Sequence, residues 1–215
     1  MNTYKITERN KVKRVPKRGN YDRETVYDIL DAAFVCHVGF VIDGQPFVIP
    51  TAYGRDGDII YIHGATKSRM LVNLEKGIPV CLTVTHLDGI VVARSTFHSS
   101  VNYRSAVIFG QAKPVKDDLK NHALRVITNN IIDGRWEEAR PPYEKELKGT
   151  SVLGIEIESA SAKIRVGGPN DEKEDYDLDI WAGIIPLQMI AGKPVADELL
   201  RQGLPIPPSA KNYQY

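Results

Sequence analysis

The chain has 215 residues, 42% of them apolar and 26% charged, with a formal net charge of +1. That length suits one domain, or one domain with an extension, and can bury a substantial core. The charge balance excludes a disordered acidic chain and a broad basic surface for nucleic acid.

Residues 1–20 carry Lys11, Lys13, Arg14, Lys17 and Arg18 but few core-forming side chains, so a solvated, mobile basic arm is expected there. They hold no apolar segment of the secretory-leader kind, and no apolar run reaches membrane-spanning length. Cys36 and Cys81 lie in apolar alternating runs, where buried reduced cysteines are ordinary and a disulfide is not expected. The expected compartment is cytoplasmic, with neither membrane nor nucleic acid as a partner.

Asp22 is placed to cap a helix whose Val26, Ile29, Leu30 and Ala33 follow one buried face. From Phe34 to about Val115 the period becomes two, and Asp43-Gly44, Asp56-Gly57 and Asp88-Gly89 read as hairpin turns. The implied strands are 34–42, 45–53, 58–63, 78–87, 90–97 and 103–115, with a short helix from Ser68 inserted after the third. Six antiparallel strands of this kind point to a small barrel or a strongly curled sheet, because closure removes exposed edges. A second helix is expected over 117–131, opened by Asp117 and Asp118 and carrying Leu119, Leu124, Ile127 and Ile131. A strand follows over 151–166. The acidic run from Asp171 to Asp179 lacks the fixed ligand spacing of a cation site and reads as a solvated loop. Trp181-Ala182-Gly183-Ile184-Ile185-Pro186-Leu187 is too apolar to lie loose, and should cover a core, a ligand or a partner subunit.

The chemistry concentrates at the strand-to-helix elbow Ile62-His63-Gly64-Ala65-Thr66-Lys67-Ser68-Arg69-Met70-Leu71. An N-capping Ser68 between Lys67 and Arg69 would form a phosphate trap at a helix N-terminus, with Gly64 and Ala65 allowing close backbone approach. A solvated basic turn fits the same residues. The five histidines, His37, His63, His86, His98 and His122, form no zinc-binding spacing, and no metal site is expected. His98 lies in a second polar cluster, Ser95 to Ser105, which suits either an oxygen-rich ligand or a turn bonding its own backbone. No G-x-S-x-G, G-x-G-x-x-G or P-loop pattern is present, which argues against covalent hydrolysis, a Rossmann site or a P-loop hydrolase.

Three segments taken together, Asp43-Gly44-Gln45-Pro46-Phe47-Val48-Ile49-Pro50-Thr51-Ala52-Tyr53, Tyr61-Ile62-His63-Gly64-Ala65 and Ser99-Ser100-Val101-Asn102-Tyr103-Arg104-Ser105, carry a family pattern in order and spacing. From about Arg14 to Leu187 the chain resembles the pyridoxamine 5′-phosphate oxidase-like FMN-binding split barrels, in the flavin-nucleotide-binding branch related to nitroimidazole reductases. The resemblance implies a mainly β fold, a six-stranded antiparallel split β-barrel with flanking helices over 21–187, followed by a C-terminal tail over 188–215. It also implies a homodimer with FMN in clefts between subunits. Pro50, Thr51, Ala52, Tyr53, His63, Gly64 and Ala65 would line the flavin ring and ribityl chain, with Lys67, Ser68 and Arg69 at the phosphate. Ser99, Asn102, Tyr103 and Arg104 would approach the cofactor from the other subunit. The Trp181 segment matches a lid or part of the dimer seam. Unlike the true oxidases, the chain lacks their Arg-Leu-x-Pro-type substrate segment, which argues against vitamin B6 oxidation.

The resemblance supports an FMN-dependent oxidoreductase reducing a small organic acceptor such as a nitroaromatic or quinone, with reduced nicotinamide, NAD(P)H, as donor. His98 is the first choice as proton donor and His63 the second. A non-catalytic flavin store or sensor is the alternative. A haem-binding split barrel is a third reading, with His63, His98 or His122 as axial ligand.

Overall fold

Every described strand pairing in the computed structural model, which describes residues 2–214, is antiparallel. The chain forms two compact units. One is built from the chain up to Ala32, Cys81–Phe109 and Glu158–Gln188; the other from Ala33–Val80, Gly110–Ile157 and the chain from Met189 onward. Among the described residues no helix is long and apolar enough to cross a membrane.

The unit containing the elbow begins with β2 (Val35–Ile42), β3 (Gln45–Asp56) and β4 (Ile59–Ala65). The earlier β1 (Gly19–Asn20) and α1 (Arg23–Asp31) belong to the other unit. Both hairpin turns fold as their Asp-Gly pairs demand. Asp43 and Gly44 both take positive φ, +49° and +77°, as a two-residue type I′ turn requires. Gly57, at φ +56°, opens the next turn. Strand alternation then sorts the side chains: Cys36, Val38 and Phe40 are buried, while Val35, His37 and Val41 face outward.

After α2 (Arg69–Leu74), the other segments of this unit are the start of β5 (Pro79–Val92), the end of β6 (Ser100–Pro114), α3 (Asp117–Ile131), α4 (Arg135–Glu138), α5 (Glu144–Lys148) and β7 (Thr150–Glu156). β7 adds to the free edge of β4, and Ala112–Pro114 of β6 pair with β7 in turn. The long helix α3 lies on one face of this sheet, where Tyr61 and Val152 meet Ala123 and Ile127 in one buried cluster. Gly54 permits the contact, since a Cβ there would stand 2.6 Å from the Val126 carbonyl oxygen. Asn130 fixes the helix end by donating to the carbonyls of Ala33 and Tyr53, both at 2.9 Å. Leu119 remains exposed, so the buried stripe of α3 is shorter than its apolar pattern.

In the other unit, Asp22 caps α1 as expected, its carboxylate accepting from the Thr25 N–H at 2.8 Å, and Val26, Ile29 and Leu30 are buried. β8 (Ser159–Arg165) pairs with β1 on one side and with Tyr103–Phe109 of β6 on the other. The expected single strand over 151–166 is thus β7 and β8, broken where Ile157 and Glu158 bond to Asp58 and Phe109 in different units. The arm before residue 20 packs on this unit at two points, where Tyr4 and Asn10 are buried and the Asn10 amide donates to Ala160 O at 3.0 Å, while its Lys11, Lys13, Arg14 and Lys17 stay exposed.

The Asp88-Gly89 hairpin does not form. Gly89 lies inside the continuous β5, and its missing side chain makes room for β9 (Gly183–Pro186), which pairs with Gly89–Val92. A Cβ at Gly89 would stand 3.1 Å from Ile184 and from the Ile185 carbonyl. The glycine reports a close neighbour instead of a turn. The tail ends in α6 (Pro208–Lys211), where Ser209 N donates to Glu138 at 3.0 Å.

Candidate functional site

The residues expected at the flavin fall in both units. Ten of them, Pro50 to Tyr53, His63 to Ala65 and Lys67 to Arg69, occupy β3, β4 and the elbow of one unit. Strand alternation divides them. Tyr53 is fully buried and pairs with Ile62, while Pro50 and Ala52 stand opposite His37 and Val35 on the outward side. Thr51 faces Cys36, whose thiol lies 3.7 Å from its carbonyl oxygen. Burial pushes that thiol up to about 12, which disfavours the reactive thiolate.

At the elbow, Thr66 N–H donates to Gly149 O at 3.2 Å and Ser68 N–H to Ala65 O at 2.8 Å, which holds the turn. The Ser68 hydroxyl makes no capping bond to α2. Lys67 is exposed and enters none of the ion pairs found among the described residues. Arg69 lies over the Phe47 ring, 4.5 Å from its centroid. Gly64 has a packing reason: a Cβ there would meet Leu71 Cδ1 at 3.1 Å, so it seats α2 on β4.

His63 stands apart from the other histidines. Its Nδ1 is buried without a hydrogen-bond partner among the described residues, and burial lowers its pKa, favouring the neutral ring. His122 instead pairs with Asp56 at 2.8 Å, and His86 contacts Ile29 O at 2.9 Å.

Ser99, Asn102, Tyr103 and Arg104 lie in the other unit with His98. Most of their polar groups are already engaged. The Ser99 hydroxyl accepts from Ala93 N at 3.2 Å, and Arg104 forks onto Asp88 with contacts of 2.9–3.2 Å. His98 Nε2 lies 3.5 Å from Glu172. Asn102 accepts from Arg165 and donates to Gly167 O at 3.1 Å.

Three residues here escaped the sequence reading: Asp88, Arg165 and Asp171. Asp88 was masked by its turn-like pair with Gly89, and Asp171 by the acidic run around it. Its carboxylate is in fact buried, accepting from the Arg94 and Ser95 N–H groups and the Arg94 guanidinium. Burial works to raise the Asp171 carboxyl, but those hydrogen bonds and the Arg94 charge prevail and hold it below its usual value. No sequence signal marks Arg165. Among the described residues no group of three or more acidic, histidine or cysteine side chains could hold a metal ion.

A family model described as pyridoxamine 5′-phosphate oxidase matches residues 22–164. The chain belongs to the pyridoxamine 5′-phosphate oxidase-like family. Two solved members resemble it over nearly their whole length. The flavocytochrome Anf3 from Azotobacter vinelandii is 40% identical with a TM-score of 0.89, covering 95% of both chains. The FAD and haem binding protein from Mycobacterium smegmatis is also 40% identical, with a TM-score of 0.87, covering 89% of this chain and 95% of its own. A protein described as a 5-nitroimidazole antibiotic resistance protein, from Bacteroides thetaiotaomicron, shares the fold at 21% identity and a TM-score of 0.56, covering 68% of this chain and 86% of its own. No curated protein matches the sequence. The mainly β, antiparallel architecture with peripheral helices is thus the split-barrel class expected from the resemblance.

Proposed function

We propose that this chain is a flavin- and haem-binding electron-transfer protein of the flavocytochrome kind, its flavin being FAD. The carrying observation is the 40% identity, over 89–95% of this chain, to a flavocytochrome and to an FAD and haem binding protein. The haem reading, third from sequence alone, thereby gains most, and the FMN expectation becomes one outcome of a cofactor assay.

The residues fit both groups. Lys67 and the Ser68 hydroxyl are unspent at the elbow, and with Arg69 they would hold a flavin phosphate. Pro50 to Tyr53 and Ala65 would line the flavin, whereas Ser99, Asn102, Tyr103 and Arg104, most of whose polar groups are held by partners in their own unit, would serve as scaffold. Among the histidines His63 fits an iron ligand best, since burial favours its neutral form and its buried Nδ1 has no partner among the described residues, whereas His122 and His86 are engaged. His98 would serve as proton donor to a reduced product. The chemistry such a cofactor pair supplies is uptake of an electron pair and delivery of single electrons. Reduced nicotinamide as donor, a small organic acceptor and a homodimer complete the reading. The dimer is supported by the exposed apolar face of Val35, Val41 and Val48, and by Trp181, which is 67% exposed.

The deciding experiment is the absorption spectrum of the native protein, with acid extraction and mass spectrometry of what it releases. Expected are a Soret band together with flavin absorption, and FAD in the extract. A flavin spectrum without a Soret band returns the reading to a flavin-only oxidoreductase or store. Release of FMN moves only the nucleotide.

A further inference from the structure

The arginines of the unit that holds His98 divide by how their charge is met. Arg104 is paired with Asp88 at 2.9 Å, Arg94 with Asp171 at 3.2 Å, and Arg9 with Glu158 at 3.2 Å. Arg165, the last residue of β8, is more buried than a surface cation has reason to be, at 7% exposure, yet no carboxylate meets it among the described residues. Its Nη1 donates to Asn102 Oδ1 and to Gly167 O, both neutral acceptors, and the Asn102 amide closes the triangle on the same carbonyl.

That arrangement locks one corner of the guanidinium and leaves its other edge unspent. Nε and Nη2 make no hydrogen bond within the described residues, and neither is among the buried atoms lacking a partner, so this edge reaches outward. Arg18 ends the turn that leads into β1, whose Gly19 pairs with Lys163 of β8, and burial, then the charge of Arg18, weaken the hold of Arg165 on its proton. Beyond the Gly167 carbonyl that Arg165 and Asn102 share there is open space, since a Cβ on Gly167 or Gly168 would meet nothing within 4 Å.

A guanidinium buried without a counter-charge is costly, and stapling Asn102 to the Gly167 loop needs no charge. What arginine adds is a planar fork matched to two oxygens of one anion. We propose that the Nε–Nη2 edge of Arg165, with Arg18 beside it, binds an oxyanion, the phosphate or carboxylate of a ligand. This rests on the flavin and haem reading for its source, since the flavin brings phosphate and the haem brings propionate carboxylates.

The test uses full-length protein stripped of cofactors, as wild type, Arg165→Met and Arg165→Lys. It is titrated with FAD, riboflavin, haem and haem dimethyl ester, and each apo form is melted. Loss of the fork should weaken one charged ligand by about tenfold to hundredfold in Arg165→Met and less in Arg165→Lys. Weakened FAD with unchanged riboflavin identifies phosphate; weakened haem with unchanged dimethyl ester identifies propionate. Apo Arg165→Met should melt at or above wild type, because an uncompensated charge has left the interior. Equal affinity of wild type and Arg165→Met for every ligand overturns the inference. So does a lowered apo melting point accompanied by equal losses for charged and uncharged ligands, which marks a structural staple. Failure of wild type to bind either FAD or haem sinks the functional reading instead.

Discussion

The elbow at 63–69 and the strand junction at 94–104 are built from the same kinds of side chain, yet one has left its polar groups unspent and the other has used them. At the junction, Ser99 bonds the Ala93 backbone, Arg94 and Ser95 share Asp171, and Arg104 forks onto Asp88. At the elbow, among the described residues, Lys67 enters no ion pair, the Ser68 hydroxyl makes no capping bond and the buried His63 Nδ1 has no partner. Native proteins pair their buried polar groups, so a pair closed within the fold is scaffold, and an open one is where a ligand has work to do. Residue type identified both places as polar clusters. Only partners distant in sequence separate them.

The sharpest way to break this contrast is to remove charge from each side in turn. Lys67→Ala combined with Arg69→Ala should lower flavin affinity about a hundredfold, the loss of two charge-assisted contacts of about 1.5 kcal/mol each. Both side chains are exposed, so the melting temperature should hold. Fluorescence titration with FAD and a thermal melt read the two quantities. Arg104→Met should do the reverse. Its pair with Asp88 is partly solvated, at 39% and 30% side-chain exposure, so screening leaves about 1 kcal/mol, or about 2–4 °C in melting temperature. Flavin content should be unchanged. A variant at Arg104 that loses flavin while melting normally would place the junction in the binding site and erase the contrast.

The legible parts of the molecule were those governed by neighbours in sequence. Asp22 capped its helix, and Asp43-Gly44 and Asp56-Gly57 made their turns, because capping and positive φ are decided within a few residues. Asp88-Gly89 misled for the opposite reason. Its glycine answers to β9, almost a hundred residues onward, and its aspartate to Arg104, and neither partner can be read from a dipeptide. The elbow was visible as a basic strand-to-helix turn, but that Arg94 is paired, and Lys67 in no ion pair among the described residues, depends on where the acidic run lands. Asp171 is the only residue of that run among the buried polar groups, and composition treats it like its neighbours.

Gly64 tests a finer point of the same contrast. Glycine at an elbow suggests room for a ligand, whereas here it gives room to Leu71. Gly64→Ala should cost less than about 1 kcal/mol, since the atom 3.1 Å from the new Cβ is the movable end of a leucine side chain. Flavin affinity should be retained. Loss of flavin at unchanged stability would return Gly64 to the ligand.

The smallest effect expected is a pH slope that belongs to the elbow alone. Burial lowers the pKa of His63 from its ordinary 6.5, so the unfolded chain binds that proton more readily than the folded one. His63 therefore contributes stability that is fully present above 6.5 and is lost as pH falls through the lower folded value. Asp171 is also depressed, but from 3.8, so its contribution is present above 3.8 and is lost only in stronger acid, below the pH at which loss of the His63 contribution begins. Urea midpoints of the apo protein at about pH 8 and about pH 5.5 should separate more for wild type than for His63→Phe, in which nothing at the elbow can take up the proton. An equal separation in both proteins would mean that the ring is solvated in the folded state. In that case the buried, unpartnered nitrogen that sets the elbow apart would not exist in solution.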